Sequence, residues 1–276
     1  MTRQSFLARA AVVRLIAARG IRAAIFSAGA YGATGAGAIL GALAITGFMR
    51  TLQENEVLAM PSPIGAPLYL AIVINAVYLA FSASIAISRE RDNGTLAVLF
   101  YGPVDPLLYV GAKYLEHIGI YGLMAAVGAI VFTGFEGTIG AGFSFGSVIA
   151  LLVSMIPISG VIAFGILLSA LTRKIRTSML WLVTVFLLFL GIEWADAALR
   201  WIEPANFPAL AAPVPILLSS VAGWVSPFAY LSRVWTALEA GSMIEFGAGL
   251  AGSLAYSLIL LGLAVLSLRS RGVKAR

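Results

Sequence analysis

The chain has 276 residues, 61% hydrophobic and 11% charged, with a mean hydropathy of +0.98; soluble domains carry about 25% charged residues, so this composition predicts one integral membrane domain over residues 1–276. The absence of cysteine and the single histidine, His117, exclude disulfides, thiolate sites, a cysteine nucleophile and a zinc cluster. A net charge of +6 and a pI of about 9.8 would suit nucleic acid, but no soluble domain is present to carry it, and membrane proteins are basic because Lys and Arg are retained on the cytosolic face.

Residues 1–22 hold Arg3, Arg9, Arg14, Arg19 and Arg22 and no acid. They read as a helix lying on the membrane surface. An Arg-rich, acid-free start also fits a targeting peptide, although the apolar run that follows is too long for a signal-peptide core. That run, 23–49, contains no charge and reads as the first span; Gly37 and Gly41 on it suit close packing or dimerisation. A polar loop with Gln53, Glu54 and Glu56 leads to the second span, 66–87.

Residues 88–115 form the longest polar-bearing interruption between spans, followed by the third span, 118–135. The fourth, 146–171, contains Pro157, which removes a backbone donor and predicts a kink, and ends at Arg173, Lys174 and Arg176. The fifth, 178–192, is framed by Trp181 and Trp194. A long, proline-bearing connection precedes the sixth span, 246–268, and the basic C-terminus. Within that connection 209–225 is short and holds two prolines; as a seventh span it would send the basic C-terminus outward, so it reads as a re-entrant or interfacial hairpin. The fold expected is all-α with six transmembrane helices.

Fifteen of the 18 basic residues then fall on one side, in the N-terminal segment, 88–115, 173–176 and the C-terminus. Only Arg50, Arg200 and Arg233 fall on the other, together with eight of the 12 acids. Both termini are therefore expected in the cytosol, as is the 88–115 loop.

In that loop Arg89, Glu90, Arg91 and Asp92 mark the exit of span two, and Asn93-Gly94 is a turn pair. Thr95 is positioned as a helix N-cap, and Leu96, Leu99 and Phe100 share one face of a two-turn helix that Gly102 and Pro103 stop. Asp105 and Pro106 start the next helix as N-cap and first residue, and it runs through Tyr109, Gly111 and Lys113 into span three. The Leu96, Leu99 and Phe100 stripe is expected to face outward, into a partner's groove or onto lipid.

The order Gly94-Thr95-Leu96, Leu99, Tyr101-Gly102-Pro103-Val104-Asp105, Gly111 and Lys113 resembles the loop between spans two and three in permease subunits of ATP-binding cassette transporters of the type-2 exporter class. Six spans, an N-terminal surface helix and Ser226-Pro227-Phe228 before the last span agree with it. The resemblance implies that this loop carries a coupling helix that docks on an ATPase subunit through Glu90, Gly94, Thr95, Leu96, Leu99, Phe100, Pro103 and Lys113. It further implies two ATPase copies, a second permease copy of the same or another sequence, and the cytoplasmic membrane of a prokaryote.

No Walker-type glycine loop occurs, so ATP and Mg are expected on the partner and no cofactor on this chain. The proposed span interiors hold no charged residue, although an ion-coupled carrier would usually need one, which argues against that alternative. No nucleophile, base and orienting group share a span, which argues against an enzyme. A membrane scaffold that transports nothing is the remaining alternative. Asn75, Tyr78, Ser82, Ser84, Tyr121, Ser154, Ser159 and Thr184 are the polar candidates for a substrate path, with interhelical packing as their other use. An uncharged path suits an amphipathic or lipid-like cargo.

Overall fold

Seven small or hydroxyl residues decide how the helices meet. Ala76, Ala80, Ala83, Ser84 and Ser88 recur along one side of the second span, and Gly165 and Ser169 along the fourth; in lipid, where water does not drive helices together, close backbone approach takes that role. A Cβ on Gly165 would stand 2.8 Å from both the Ala80 carbonyl oxygen and the Ala83 Cβ.

The computed structural model of the chain describes residues 3–55, 64–101, 104–138, 145–200 and 220–271. Its helices are α1 (Arg3–Ile25), α2 (Ala28–Asn55), α3 (Gly65–Asp92), α4 (Thr95–Tyr101), α5 (Pro106–Thr138), α6 (Phe145–Leu171), α7 (Ile175–Arg200), α8 (Pro227–Glu239) and α9 (Met243–Arg271). A further helical segment occupies 220–225, and there is no strand among the described residues. Among the described residues, six helices are long and apolar enough to cross a membrane: α2, α3, α5, α6, α7 and α9.

The central helix is α6, the most apolar and most buried of the six. It packs extensively on both α3 and α9, while α2 covers α3 and α1 lies along α5. Pro157 lies inside α6 without interrupting it. Hydroxyls stitch α6 to α9, with Ser159 Oγ 2.8 Å from Ser257 Oγ and Ser267 Oγ donating to the Ala170 carbonyl at 3.4 Å. Gly37 and Gly41 pack within the chain: their Cβ positions would lie 3.3 Å from Ala71 Cα and 3.0 Å from Phe132 Cζ.

A buried serine cluster joins three helices near their ends. The Ile87 and Ser88 N–H groups of α3 each donate to Ser169 Oγ of α6 at 2.9 Å, and the Ser178 hydroxyl of α7 donates to the Ser84 carbonyl. All four serines are fully buried.

Three differences from the sequence reading stand out. The apolar run 23–49 is split, because α1 continues to Ile25 and a turn at Phe26-Ser27, with the Ser27 N–H donating to the Ala24 carbonyl, precedes α2. Packing of α1 on α5 accompanies that turn: Ala17 is buried, and Gly20 and Gly119 let Glu116 and Ile21 in close. The fifth span ends at Ile192 as expected, but its helix, α7, begins at Ile175 and runs on to Arg200. Of the hairpin expected at 209–225, only 220–225 lies within the described residues.

Candidate functional site

The α3 C-terminus, the α5 N-terminus and the α6 C-terminus converge at one end of the bundle. Arg91 ties two of them together, its Nη1 donating to the Thr172 carbonyl at 2.7 Å and to the Ala170 carbonyl at 3.2 Å. These carbonyls belong to the last turn of α6 and its exit, where helical partners run out. Arg269, at the end of α9, reaches the Asp105 carboxylate at 3.7 Å.

From α3 the chain turns at Asn93 and Gly94, and Gly94 adopts φ +72°, the left-handed conformation glycine tolerates best. This turn is so tight that Thr95 Oγ1 reaches back and donates to the Glu90 carbonyl at 3.0 Å. The Thr95 hydroxyl thus ties the start of α4 to the end of α3. Asp105 does begin α5 ahead of Pro106, its carbonyl accepting from the Tyr109 N–H at 3.0 Å.

Between α3 and α5 lies a polar latch. Glu90 Oε1 is 2.9 Å from Lys113 Nζ, and Glu90 Oε2 accepts from the Tyr109 hydroxyl at 2.7 Å. Lys113 also meets Glu116 Oε2 at 3.1 Å. One ammonium therefore bridges two carboxylates, all three side chains at least three-quarters buried, and Tyr109 supplies a further donor to Glu90. Such a network holds only when each charge is both paired and hydrogen-bonded.

This latch carries α4. The fully buried Tyr109 ring meets Phe100 edge-on at a centroid distance of 5.8 Å. Leu96 is only 6% exposed, and Leu99 and Phe100 pack, partly buried, on the same core. The apolar stripe thus turns inward, correcting the expectation that it lacks a partner in the chain: the latch brings Tyr109 and the core beneath α4. The face left outward carries Val98, 70% exposed, and Tyr101, 77% exposed, with Gly94 and Thr95 beside them. Pro103 lies outside the described residues.

Behind α4, a groove of about 760 Å³ opens between α1, α3, α4 and α5, walled by Arg19, Arg89, Glu90, Lys113 and Glu116. His117, buried, also borders it. The His117 Nδ1 lies 2.8 Å from the Lys113 carbonyl, which only an N–H can satisfy, and Nε2 lies 3.3 Å from Ser82 Oγ.

Of the expected path residues, Tyr121 and Ser154 are brought together, while Asn75, Tyr78, Ser82 and Ser159 meet other partners or stand apart. Tyr121 pairs with Ser154 between α5 and α6, Ser159 with Ser257 between α6 and α9, and Ser82 with His117 between α3 and α5. Tyr78 packs against Gly29 of α2. Asn75 stands apart, lining a separate cavity with its Oδ1 buried and without a partner.

Sequence reasoning missed Tyr109, Glu116, Arg91, Val98 and Tyr101. A signal for the first two existed: Tyr109, Lys113 and Glu116 stand at i, i+4 and i+7 on one helical face.

No curated protein matches the chain. Residues 28–273 match the family described as ABC-2 family transporter protein, and this match takes in every candidate span, the latch and α4. With six membrane-crossing helices and that family match over nearly its whole length, the chain belongs to the ABC-2 transporter family and is a multi-pass permease component of an ABC transporter.

Proposed function

We propose that the chain exports its cargo across the cytoplasmic membrane of a prokaryote, driven by ATP hydrolysis on a separate subunit that docks against α4. Two permease copies and two ATPase subunits form the working unit, and ATP with Mg is held by the ATPases. The observation that carries the reading is the mounting of α4. A seven-residue helix, too short to be stable alone, is clamped to α3 and α5 through Thr95, Glu90, Tyr109 and Lys113 while Val98 and Tyr101 face outward. A helix held that firmly transmits a push from a docked partner into two spans at once.

Lys and Arg support a cytosolic position for this end. Arg91, Arg173, Lys174 and Arg269 gather around the ends of α3, α6 and α9 here, and basic residues are retained on the cytosolic side. Both termini lie on that side under this orientation, with α1 in the membrane interface.

Affinity purification of the tagged chain from its host, followed by reconstitution into proteoliposomes, tests the proposal. An ATP-binding subunit should be retained and transport should require ATP. Recovery of the chain without any such subunit, under conditions that keep it folded, refutes the proposal.

A further inference from the structure

The groove behind α4 is cationic and apolar at once. Arg19 of α1 and Arg89 of α3 both line it, and so does an aliphatic residue one turn before each, Leu15 on α1 and Ile85 on α3. Positions four apart share a helix face, so each helix presents the groove with a guanidinium and a hydrocarbon side chain together. Both arginines are exposed, and a ligand in the groove can reach them. Leu15 is itself 73% exposed.

The groove's two carboxylates are already engaged. Lys113 holds Glu90 and Glu116, and the Tyr109 hydroxyl donates to Glu90 as well. Among the described residues, neither Arg19 nor Arg89 makes a hydrogen bond or an ion pair. With three basic and two acidic side chains on its walls, the groove carries a net positive charge. Because α1 packs mainly on α5, the space between it and the end of α3 stays open.

Three occupants can be compared. Water with small anions suits the arginines but leaves Leu15 and Ile85 against polar surroundings. A zwitterionic phospholipid supplies acyl chains and a phosphate, yet brings its own ammonium to walls that already have an excess of positive charge. An anionic phospholipid offers phosphate oxygens that match two guanidinium forks, acyl chains for the aliphatic residues, and no cation. Basic pockets between helices on the cytosolic side of a membrane take such headgroups.

We propose that this groove binds an anionic phospholipid, its phosphate held between Arg19 and Arg89 and its chains against Leu15 and Ile85. The lipid then bridges α1 to α3 beside the latch that carries α4. This binding depends neither on the ATPase nor on the direction of transport.

The test is native mass spectrometry of the purified full-length chain in detergent, titrated with phosphatidylglycerol or with phosphatidylcholine of identical acyl chains. Phosphatidylglycerol should bind about tenfold more tightly. Arg19→Gln and Arg89→Gln should each weaken that preference, and the double variant should abolish it, with unfolding midpoints in lipid-free detergent unchanged because both positions are exposed. Each single variant carries the test by itself if the double variant does not fold. Arg14→Gln removes the same charge from an exposed position of α1 outside the groove and should keep the preference. Glycerol 3-phosphate, a headgroup without chains, should not displace the lipid. Equal affinity for the two lipids, a preference that survives loss of the arginines, or an equal loss in Arg14→Gln would overturn the assignment. Displacement by glycerol 3-phosphate would overturn it too, by making the ligand a soluble phosphate.

Discussion

Lys113 Nζ stands 2.9 Å from Glu90 Oε1 and 3.1 Å from Glu116 Oε2, so one ammonium holds two carboxylates contributed by α3 and α5. Removing that ammonium leaves two mostly buried acids facing each other with no cation between them. Breaking a buried pair by deleting one partner commonly costs about 3 to 5 kcal/mol; with up to a quarter of each side chain exposed, the loss here should lie at or below the lower end. Lys113→Met is therefore expected to lower the unfolding midpoint in detergent. The double variant Lys113→Met with Glu90→Gln should recover part of the loss, and additive effects of the two changes would show that the contact contributes nothing.

The inward turn of the stripe on α4 separates two neighbouring apolar residues by function. Leu96 is buried, so Leu96→Ala should destabilise the protein by about 2 to 3 kcal/mol through lost burial and the cavity left behind. Val98 is exposed, and Val98→Asp should leave the unfolding midpoint unchanged while abolishing retention of the ATPase. Leu99, half-buried against the core, should show both defects when replaced by Asp. Full ATPase retention by the Val98→Asp variant would place docking elsewhere.

The six spans were legible because each is an apolar run of membrane length, and the positive-inside count paired the basic loops without any structure. The turn between α1 and α2 was not: Ile25-Phe26-Ser27-Ala28 contains neither proline nor glycine, and only the packing of α1 on α5 accompanies it. Spacing at Leu96, Leu99 and Phe100 marks a face but does not say whether its partner lies in the same chain; that depended on Tyr109, nine residues on from Phe100. Hydroxyl pairs such as Ser159 and Ser257, 98 positions apart, leave no local pattern. Asn75 was visible as a polar residue in a span, but its lack of a partner was not.

The clamp on α3 gives a third expectation. Ser169 Oγ accepts from two backbone N–H groups, those of Ile87 and Ser88, so Ser169→Ala removes an acceptor that two buried donors share while changing volume by one atom. Each hydrogen bond lost in this way costs about 0.5 to 1.5 kcal/mol. The measurable outcome is a lowered unfolding midpoint together with faster amide exchange confined to the region around Ile87 and Ser88. Ser169→Thr tests sterics separately, since it keeps the acceptor and adds a methyl group to a fully buried site. A Ser169→Ala variant with unchanged stability and exchange would show that α3 satisfies these groups by itself.

Gly165 sets the distance between α3 and α6, and the most sensitive substitution in the bundle should be there. A methyl group at this position meets backbone, the Ala80 carbonyl at 2.8 Å and the Ser84 nitrogen at 3.1 Å, and backbone cannot swing aside as a flexible side chain can. The helices must separate, and separation also pulls Ser169 from Ile87 and Ser88, one turn further along. Overpacking alone costs about 1 to 3 kcal/mol, and lost hydrogen bonds add to it, so Gly165→Ala should reduce the folded yield sharply. Glycine at 111 has nothing within 4 Å of its Cβ position. Gly111→Ala should therefore be neutral or slightly stabilising, since alanine favours helix by about 1 kcal/mol. Comparing the two variants by thermal unfolding separates close packing from helix propensity: equal midpoints would show that α3 and α6 do not depend on the contact at Gly165.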